Sequence, residues 1–265
     1  MNAMHKTPLA IVSMAICFGA AAQAQPGRGG GPPAISARAG ARLDITGWWV
    51  SIVTEDWRWR MITPKKGDYA SVPLNFEGRK VADTWDPAKD EADGLQCKSY
   101  GAAGLMRVPG RLHITWQDDN TLKIETDAGT QTRLFHFKPD EPAEKAAERE
   151  PTWQGYSAAN WEGSAGRGGR GRAGANREVL PAGSLKVETT HLRPGYLRKN
   201  GVPYSANTAL TEFYDRTHED NGDSWLIVTT IVDDAQYLQQ PFITSTHFKR
   251  EPDGSKWHPT PCTSR

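Results

Sequence analysis

The chain has 265 residues, with 32 lysines and arginines against 31 aspartates and glutamates, so its formal net charge is +1. This balance excludes a protein that binds nucleic acid or a membrane surface through its overall charge. Hydrophobic residues make up 37% and charged residues 24%, a composition typical of a folded globular protein rather than of a chain disordered throughout. The 26 glycines and 18 prolines disfavour long helices.

The first 24 residues have the pattern of an export signal. Lys6 provides the positive charge, residues 9–22 form an apolar run, and Ala22-Gln23-Ala24 gives a small-x-small cleavage site. The run is too short to span a hydrocarbon core of about 30 Å. We therefore expect cleavage after Ala24 and an exported protein, periplasmic or secreted, that has no membrane span.

Cleavage would leave two cysteines, Cys97 and Cys262. In an oxidising compartment such a pair predicts a disulfide, the alternative being two buried thiols. Two cysteines cannot form a four-thiolate zinc site, and no two histidines have HxH or HExxH spacing. We therefore predict neither a metal nor a cofactor.

The mature chain divides into a leader and one domain. Residues 25–42 are rich in glycine and proline and predict a flexible leader, and residues 43–265 predict a single β domain. An Arg/Gly-rich stretch near 163–184 is interpreted as a disordered loop inserted between two strands. The stretch 141–150, rich in Ala, Glu and Lys, is either a short exposed helix or another surface insertion.

Short strands dominate the domain. Residues 111–117, 121–127 and 131–137 recur at a ten-residue spacing with turn residues between them, which predicts an antiparallel meander. Further strands are expected at 45–53, 57–62, 185–191, 207–216, 225–232 and 242–248, with 153–161 as one more candidate and a single short helix at 77–85. So many strands predict an all-β fold, either an antiparallel barrel or a β-sandwich.

Two resemblances add to this pattern. Gly47-Trp48-Trp49 resembles the Gly-x-Trp start of lipocalin-like barrels, which implies a tryptophan that closes the base of a barrel and a glycine that allows a tight bend. A longer series resembles a large family of exported bacterial proteins to which no activity is assigned. Its segments are PTWQGYS (151–157), WEG (161–163), LKVETT (185–190), NGVPYS (200–205), TE (211–212), TIVDD (230–234), Tyr237 and PF (241–242). Together these resemblances favour a barrel and export but imply no function.

Aromatic and cationic side chains are the candidates for ligand contact. Tryptophan offers a rigid flat surface, and neighbouring arginines can hold a carboxylate with paired hydrogen bonds. If residues 57–62 form a strand, its tryptophans and arginines lie on opposite faces. The loop 191–200 is expected to rim a cavity mouth. The predicted ligand contacts are Trp57, Arg58, Trp59, Arg60, His113, Arg133 and Tyr196.

The main prediction is a monomeric, lipocalin-like protein that binds a small apolar or aromatic ligand, with or without a carboxylate, inside a hollow barrel. The alternative is a lyase, hydrolase or isomerase that acts on a plant- or polysaccharide-derived small molecule. Its base would be His113 or His247 and its carboxylate would come from Glu125, Glu188 and Glu212. Catalysis requires that histidine and carboxylate meet in one cavity. A third possibility is an interaction module of the cell envelope with a filled barrel.

Overall fold

The computed structural model describes residues 35–137, 148–163 and 183–265. The predicted signal peptide, the leader up to residue 34, residues 141–147 of the Ala/Glu/Lys-rich stretch and residues 164–182 of the Arg/Gly-rich insert lie outside the described residues. Among the residues that are described, no helix combines the length and apolar character needed to cross a membrane.

Within the described ranges, eleven strands account for most of the regular structure. In chain order they are β1 (Gly47–Ile52), β2 (Arg111–Trp116), β3 (Thr121–Thr126), β4 (Thr132–His136), β5 (Tyr156–Glu162), β6 (Ser184–Thr190), β7 (Gly195–Arg198), β8 (Val202–Tyr204), β9 (Ala209–His218), β10 (Ser224–Asp233) and β11 (Phe242–Glu251). Nine of them close into a barrel in the order β1-β11-β10-β9-β6-β5-β4-β3-β2, and β7 pairs with β8 outside it. The predicted all-β barrel is confirmed, and the meander is β2-β3-β4.

Neighbouring barrel strands are antiparallel except β4 and β5, which run parallel with Phe135 opposite Ser157. The sequence predicted antiparallel pairing throughout, and this pair corrects it. A closed ring with an odd number of strands cannot alternate in direction at every step, so one parallel pair is unavoidable. Parallel neighbours also require a connection that returns along the barrel.

The barrel interior is packed with side chains. Alternate residues of each strand point inward, and the largest of them are less than 2% exposed: Trp49, Ile114, Ile124, Phe135, Tyr214 and Phe248. Along the described strands this packing replaces the hollow expected from the sequence. A small barrel is commonly filled in this way.

A helical layer covers the end of the barrel where β1 ends and β2 begins. It consists of α1 (Trp57–Arg60), α2 (Phe76–Ala82), α3 (Pro87–Ala92), a 3-10 helix (Gln96–Tyr100) and α4 (Ala102–Leu105). Together with the β7-β8 hairpin it forms a second apolar core around Leu74, Val202 and Tyr204. The helix predicted at 77–85 corresponds to α2, but the other helices were not predicted.

The predicted strand at 57–62 is wrong. Asp56 has a left-handed backbone (φ 51°), and its carbonyl accepts hydrogen bonds from the N–H groups of Trp59 and Arg60, which makes α1 a single helical turn. Alternation over so few residues fits a helical turn as well as a strand. The two tryptophans and two arginines therefore do not lie on opposite faces of a sheet.

The opposite end of the barrel is covered by residues before β1. The N–H of Ala37 donates to Oδ1 of Asn120 (3.0 Å), and Nε1 of Trp161 donates to the carbonyl of Ala37 (2.9 Å). Order therefore begins earlier than the predicted start of the domain near Leu43.

The Gly-x-Trp segment lies at this same end. Trp49 is fully buried and donates from Nε1 to the carbonyl of Ile45 (2.9 Å). Gly47 has φ +113°, and a Cβ there would lie 2.7 Å from Nη2 of Arg250. Only glycine allows both this backbone conformation and the close approach of the guanidinium group.

Gly201 forms the turn of the β7-β8 hairpin, and we expect Gly201→Ala to lower the free energy of unfolding by about 3 kcal/mol. Its φ is +83°, and an added Cβ would lie 2.3 Å from Cβ of Trp85. Gly222→Ala is the matched control because Gly222 has φ +87° with nothing within 4 Å. In the control variant the free energy of unfolding should fall by only about 1 kcal/mol, the cost of placing a residue with a Cβ in a left-handed backbone conformation. Equal losses in chemical denaturation would show that the Trp85 contact is unimportant.

Candidate functional site

A cavity of about 440 Å³ lies outside the barrel, between the helical layer, the β7-β8 hairpin and the C-terminal segment. Its cationic lining residues are Arg60, Arg107, Arg198, Lys199 and Arg265. Its apolar lining residues are Met61, Ile62, Val108, Pro109, Leu197 and Pro261. The other lining residues are Trp59, Thr63, Ser99, Tyr100, Gly104, Ala128, Thr260 and Thr263. The cavity therefore has a cationic part and an apolar part.

Arg60 is held by α1 and is buried. Its Nη1 donates to Oε1 of Glu55 (2.6 Å) and its Nε donates to the carbonyl of Arg107 (2.9 Å). Its Nη2 is buried and has no hydrogen-bond partner among the residues that the structure describes. Burial lowers the pKa of Arg60, and Glu55 only partly offsets that shift. The guanidinium group is therefore incompletely compensated.

Arg107 follows α4 and is 7% exposed. Its Nη2 donates to Oδ2 of Asp56 (2.8 Å), and its guanidinium carbon lies 5.4 Å from the ring centre of Phe242. Its Nη1 is buried, and the described part of the chain offers it no hydrogen-bond partner. A buried donor without a partner costs free energy that a bound acceptor would recover.

Arg198, at the end of β7, is 6% exposed. Its Nη1 donates to the carbonyl of Ala70 (2.9 Å) and its Nη2 donates to Oγ of Ser71 (2.9 Å). The guanidinium carbon lies 5.4 Å from the ring centre of Trp59. Burial, reinforced by the charge of Arg107, lowers the pKa of Arg198 to about 10, and the charges of Asp56 and Asp68 offset the shift only in part. Among the described carboxylates, none is within ion-pair distance of Arg198.

The cavity lining contains five cations and no carboxylate side chain. Glu55 and Asp56 bind Arg60 and Arg107, but neither acidic residue lines the cavity. Because the whole chain has a formal charge of only +1, the cations are concentrated locally rather than spread over the molecule. The lining therefore favours an anion.

The apolar part of the lining extends to the mouth of the cavity. Met61 is 59% exposed and Ile62 is 74% exposed, although both are large hydrophobic residues. Leu197 is buried and Val108 is half-buried. Contact with a ligand's hydrocarbon surface would remove the exposed side chains from water, which is favourable.

A disulfide joins two walls of the cavity. Cys97 in the 3-10 helix is bonded to Cys262 in the C-terminal segment, as predicted. Tyr100 on one side, and Pro261 and Thr263 on the other, all line the cavity. The bond therefore holds the C-terminal segment against the helical layer.

The structure brings two of the predicted ligand contacts, Trp59 and Arg60, into the cavity. Trp57 is 66% exposed, and Arg58 pairs with Asp68 at 3.1 Å; neither lines the cavity. Tyr196 lies elsewhere, where its hydroxyl donates to Oδ2 of Asp90 (2.8 Å). Burial raises the pKa of Tyr196, and the hydrogen bond to Asp90 adds to the effect.

Arg133 lies inside the barrel and is bound to Glu212. Its Nη2 is 2.6 Å from Oε2 of Glu212 and 3.2 Å from Oγ1 of Thr189, and both charged side chains are fully buried. The hydroxyl of Tyr214 donates to the same carboxylate at 3.3 Å. This arrangement is an internal ion pair, and it does not line the cavity.

The histidines and glutamates predicted for catalysis do not meet in the cavity. His113 stacks on Trp48, with ring centres 3.7 Å apart, and its Nδ1 is 3.4 Å from Oε2 of Glu125. The Nδ1 of His247 is 4.0 Å from Oε2 of Glu55.

The remaining catalytic candidates also have other partners. Glu188 pairs with Lys186 on the barrel surface, and Glu212 pairs with Arg133 in the interior. None of these residues lines the cavity.

Four cationic residues of the cavity were not predicted. Arg198 and Lys199 lie in the loop 191–200 that was expected to rim a cavity, and this is the one sequence signal that pointed to them. Arg107 and Arg265 are isolated along the chain, and only the fold brings them together.

Within the described parts of the chain, no group of three or more His, Cys, Asp or Glu residues is arranged to hold a metal.

Comparisons of this chain with protein-family models, with curated proteins and with solved structures found no match.

Proposed function

We propose that this protein is an exported β-barrel protein that binds a small apolar or aromatic carboxylate in the cavity beside the barrel. The supporting observation is Arg198, a buried cation without a carboxylate partner among the described residues, in the wall of an open cavity. The charges of Asp56 and Asp68 compensate Arg198 only in part, and a buried charge is costly until a counter-charge lies beside it. A bound carboxylate would supply that counter-charge.

The neighbouring arginines support the same ligand. Arg60 and Arg107 each have a buried nitrogen without a partner, so an acceptor reaching them would form bonds that are now missing. Trp59 and Ala70 hold Arg198 in position before any ligand arrives. A preorganised site loses less conformational entropy on binding. The apolar lining, with Met61 and Ile62 at the mouth, would contact the ligand's hydrocarbon part.

Export and family membership belong to the same proposal. The disulfide between Cys97 and Cys262 supports an oxidising compartment because such bonds persist there. The motif series described above supports membership of the family of exported bacterial proteins that the chain resembles. A ligand-binding protein in the periplasm or outside the cell would meet small carboxylates directly.

The test compares benzoate, cinnamate and 2-naphthoate with their neutral amides, using calorimetry and thermal unfolding. We expect the acids to bind and the amides, which have the same shape, to bind far more weakly. Arg198→Met should weaken binding of the acids roughly 10- to 100-fold because a charge-assisted hydrogen bond is lost.

Arg58→Met is the matched control. It removes the same charge from a nearby residue that does not line the cavity, and its effect should stay within about threefold. Equal weakening by both substitutions would mean that only the general positive potential matters, which contradicts a bond to Arg198. Equal affinity for the acids and their amides would refute the proposal that the ligand is a carboxylate.

A further inference from the structure

A second cavity, of about 420 Å³, adjoins the first. It is lined by Thr63, Pro64, Lys65, Lys66, Trp85, Asp86, Pro87 and Arg265. Thr63 and Arg265 line both cavities, so the two spaces share a wall. The two cavities therefore form neighbouring parts of one longer surface.

We propose that the ligand carries two acidic groups separated by an apolar spacer, one for the arginines of the first cavity and one for Lys65 and Lys66 of the second. This inference rests on the proposed function and specifies its ligand as a dicarboxylate rather than a monocarboxylate.

One continuous segment of chain supports this arrangement. Residues 59–63 line the first cavity and residues 63–66 line the second. Arg60 lies near the start of this segment and the two lysines end it, and between them lie the apolar Met61, Ile62 and Pro64 and the one polar residue Thr63. An apolar stretch with cations at both ends matches a hydrocarbon chain with carboxylates at both ends.

The charge of the second cavity is also incompletely compensated. Lys65 and Lys66 are exposed, and no described carboxylate lies within ion-pair distance of either. Asp86 is the one carboxylate side chain in the lining, and its Oδ1 accepts hydrogen bonds from the N–H groups of Ala88 and Lys89 at the start of α3. Asp86 thus caps a helix and leaves the lysines available to a ligand.

The β7-β8 hairpin fixes the spacing between the two cationic groups. Asn200 is fully buried, and its Nδ2 donates to the carbonyls of Lys65 (3.1 Å) and Asp68 (2.9 Å). Arg198, two residues earlier, donates to the carbonyl of Ala70 and to Ser71. The same hairpin therefore holds the backbone of the lysine segment and supplies the buried arginine. A fixed spacing should select for ligand length.

The experiment measures the affinity of the wild-type protein for α,ω-dicarboxylates from succinate to dodecanedioate. Each is compared with the monocarboxylate of the same number of carbon atoms. We expect an optimum length at which the dicarboxylate binds about three- to tenfold more tightly, as expected for carboxylates paired with exposed lysines. Lys65→Ala/Lys66→Ala should abolish this advantage and change monocarboxylate affinity by less than twofold.

Lys80→Ala/Lys186→Ala is the control because it removes the same charge from two lysines that line neither cavity. It should preserve the advantage of the dicarboxylate. Equal affinities for mono- and dicarboxylates at every length would overturn the inference and leave the proposed function standing. If neither series bound, the inference would be overturned, and the proposed function would fail with it only if benzoate, cinnamate and 2-naphthoate also failed to bind. If both double variants lost the tighter binding of the dicarboxylate, that preference would come from the overall positive charge of the protein. This result would overturn the second binding site.

Discussion

Arg133→Ala is expected to lower the free energy of unfolding by about 3–5 kcal/mol. Arg133 and Glu212 are fully buried in the barrel and pair at 2.6 Å. Burial by itself lowers the pKa of Arg133, but the carboxylate of Glu212 reverses the shift, so the net effect raises that pKa and keeps the guanidinium charged. Removing the arginine would leave the carboxylate in the barrel interior without a counter-charge.

The same truncation also affects neighbouring hydroxyl groups. Nη2 of Arg133 donates to Thr189 at 3.2 Å and to Ser157 at 3.4 Å, and Tyr214 donates to Glu212. Burial, together with the nearby carboxylate, raises the pKa of Tyr214 well above its usual value, so Tyr214 remains a neutral donor. Thr189 and Ser157 still bond each other at 2.8 Å without the arginine. The expected loss therefore comes mainly from the stranded carboxylate.

Urea denaturation of three variants tests this account. Arg133→Met/Glu212→Leu removes both charges and should recover most of the stability lost in Arg133→Ala, because an apolar pair can replace a buried ion pair. Lys186→Ala breaks the surface pair with Glu188 and should leave the unfolding midpoint almost unchanged. If the double variant were as unstable as Arg133→Ala, the stranded charge would not explain the loss, because the double variant contains no unpaired carboxylate.

The nine barrel strands were predictable because their signal is local, whereas β7 and β8 were not predicted and β7 lies in a segment that was interpreted as a loop. In β4 the alternation places Arg133 and Phe135 on one face, and in β9 it places Leu210, Glu212 and Tyr214 on one face. The structure shows all five side chains buried. What the pattern does not contain is the pairing of Arg133 with Glu212, 79 residues apart, because that depends on how the sheet closes. The parallel β4-β5 pair depends on closure in the same way.

The candidate site was predictable only in part, for a related reason. Trp59 and Arg60 stood out as a dense local cluster, although their strand assignment was wrong because a single helical turn has too few residues to show its period. Arg107 stands in an apolar and glycine-rich context and gave no signal. Its role emerges only when α4 packs beside the hairpin that carries Arg198. A cavity built from five separate segments has no signature in any one of them.

The disulfide should have a large effect on stability. Cys97→Ser/Cys262→Ser is expected to lower the free energy of unfolding by about 5 kcal/mol, the chain-entropy value for cysteines separated by 165 residues. The physical reason is that the bond restricts the unfolded chain. The measurement is denaturation of the oxidised protein, the double variant and the wild type with reductant. The double variant and the reduced wild type should unfold at the same denaturant concentration. Adding reductant to the double variant should not change its unfolding midpoint.

The same substitution separates the role of the bond in stability from its role in binding. Thr260 stays attached without the bond, because its N–H donates to the carbonyl of Asp127 (2.9 Å) and its carbonyl accepts from Thr130 (3.0 Å). Beyond Cys262, the hydroxyl of Thr263 is 3.3 Å from that of Tyr100, and Nζ of Lys199 donates to Oγ1 of Thr263 (3.2 Å) and to the main-chain oxygen of Arg265 (3.3 Å). These bonds are longer than those that hold Thr260. The wall nearest Arg265 should therefore loosen while the arginines on α1 and the hairpin keep their places. Binding measurements on the folded double variant test this expectation.

Because Arg265 lines both cavities, the affinity of the double variant for a dicarboxylate should fall more than its affinity for a monocarboxylate. If the disulfide served stability alone, both affinities would be unchanged at temperatures where the variant is folded.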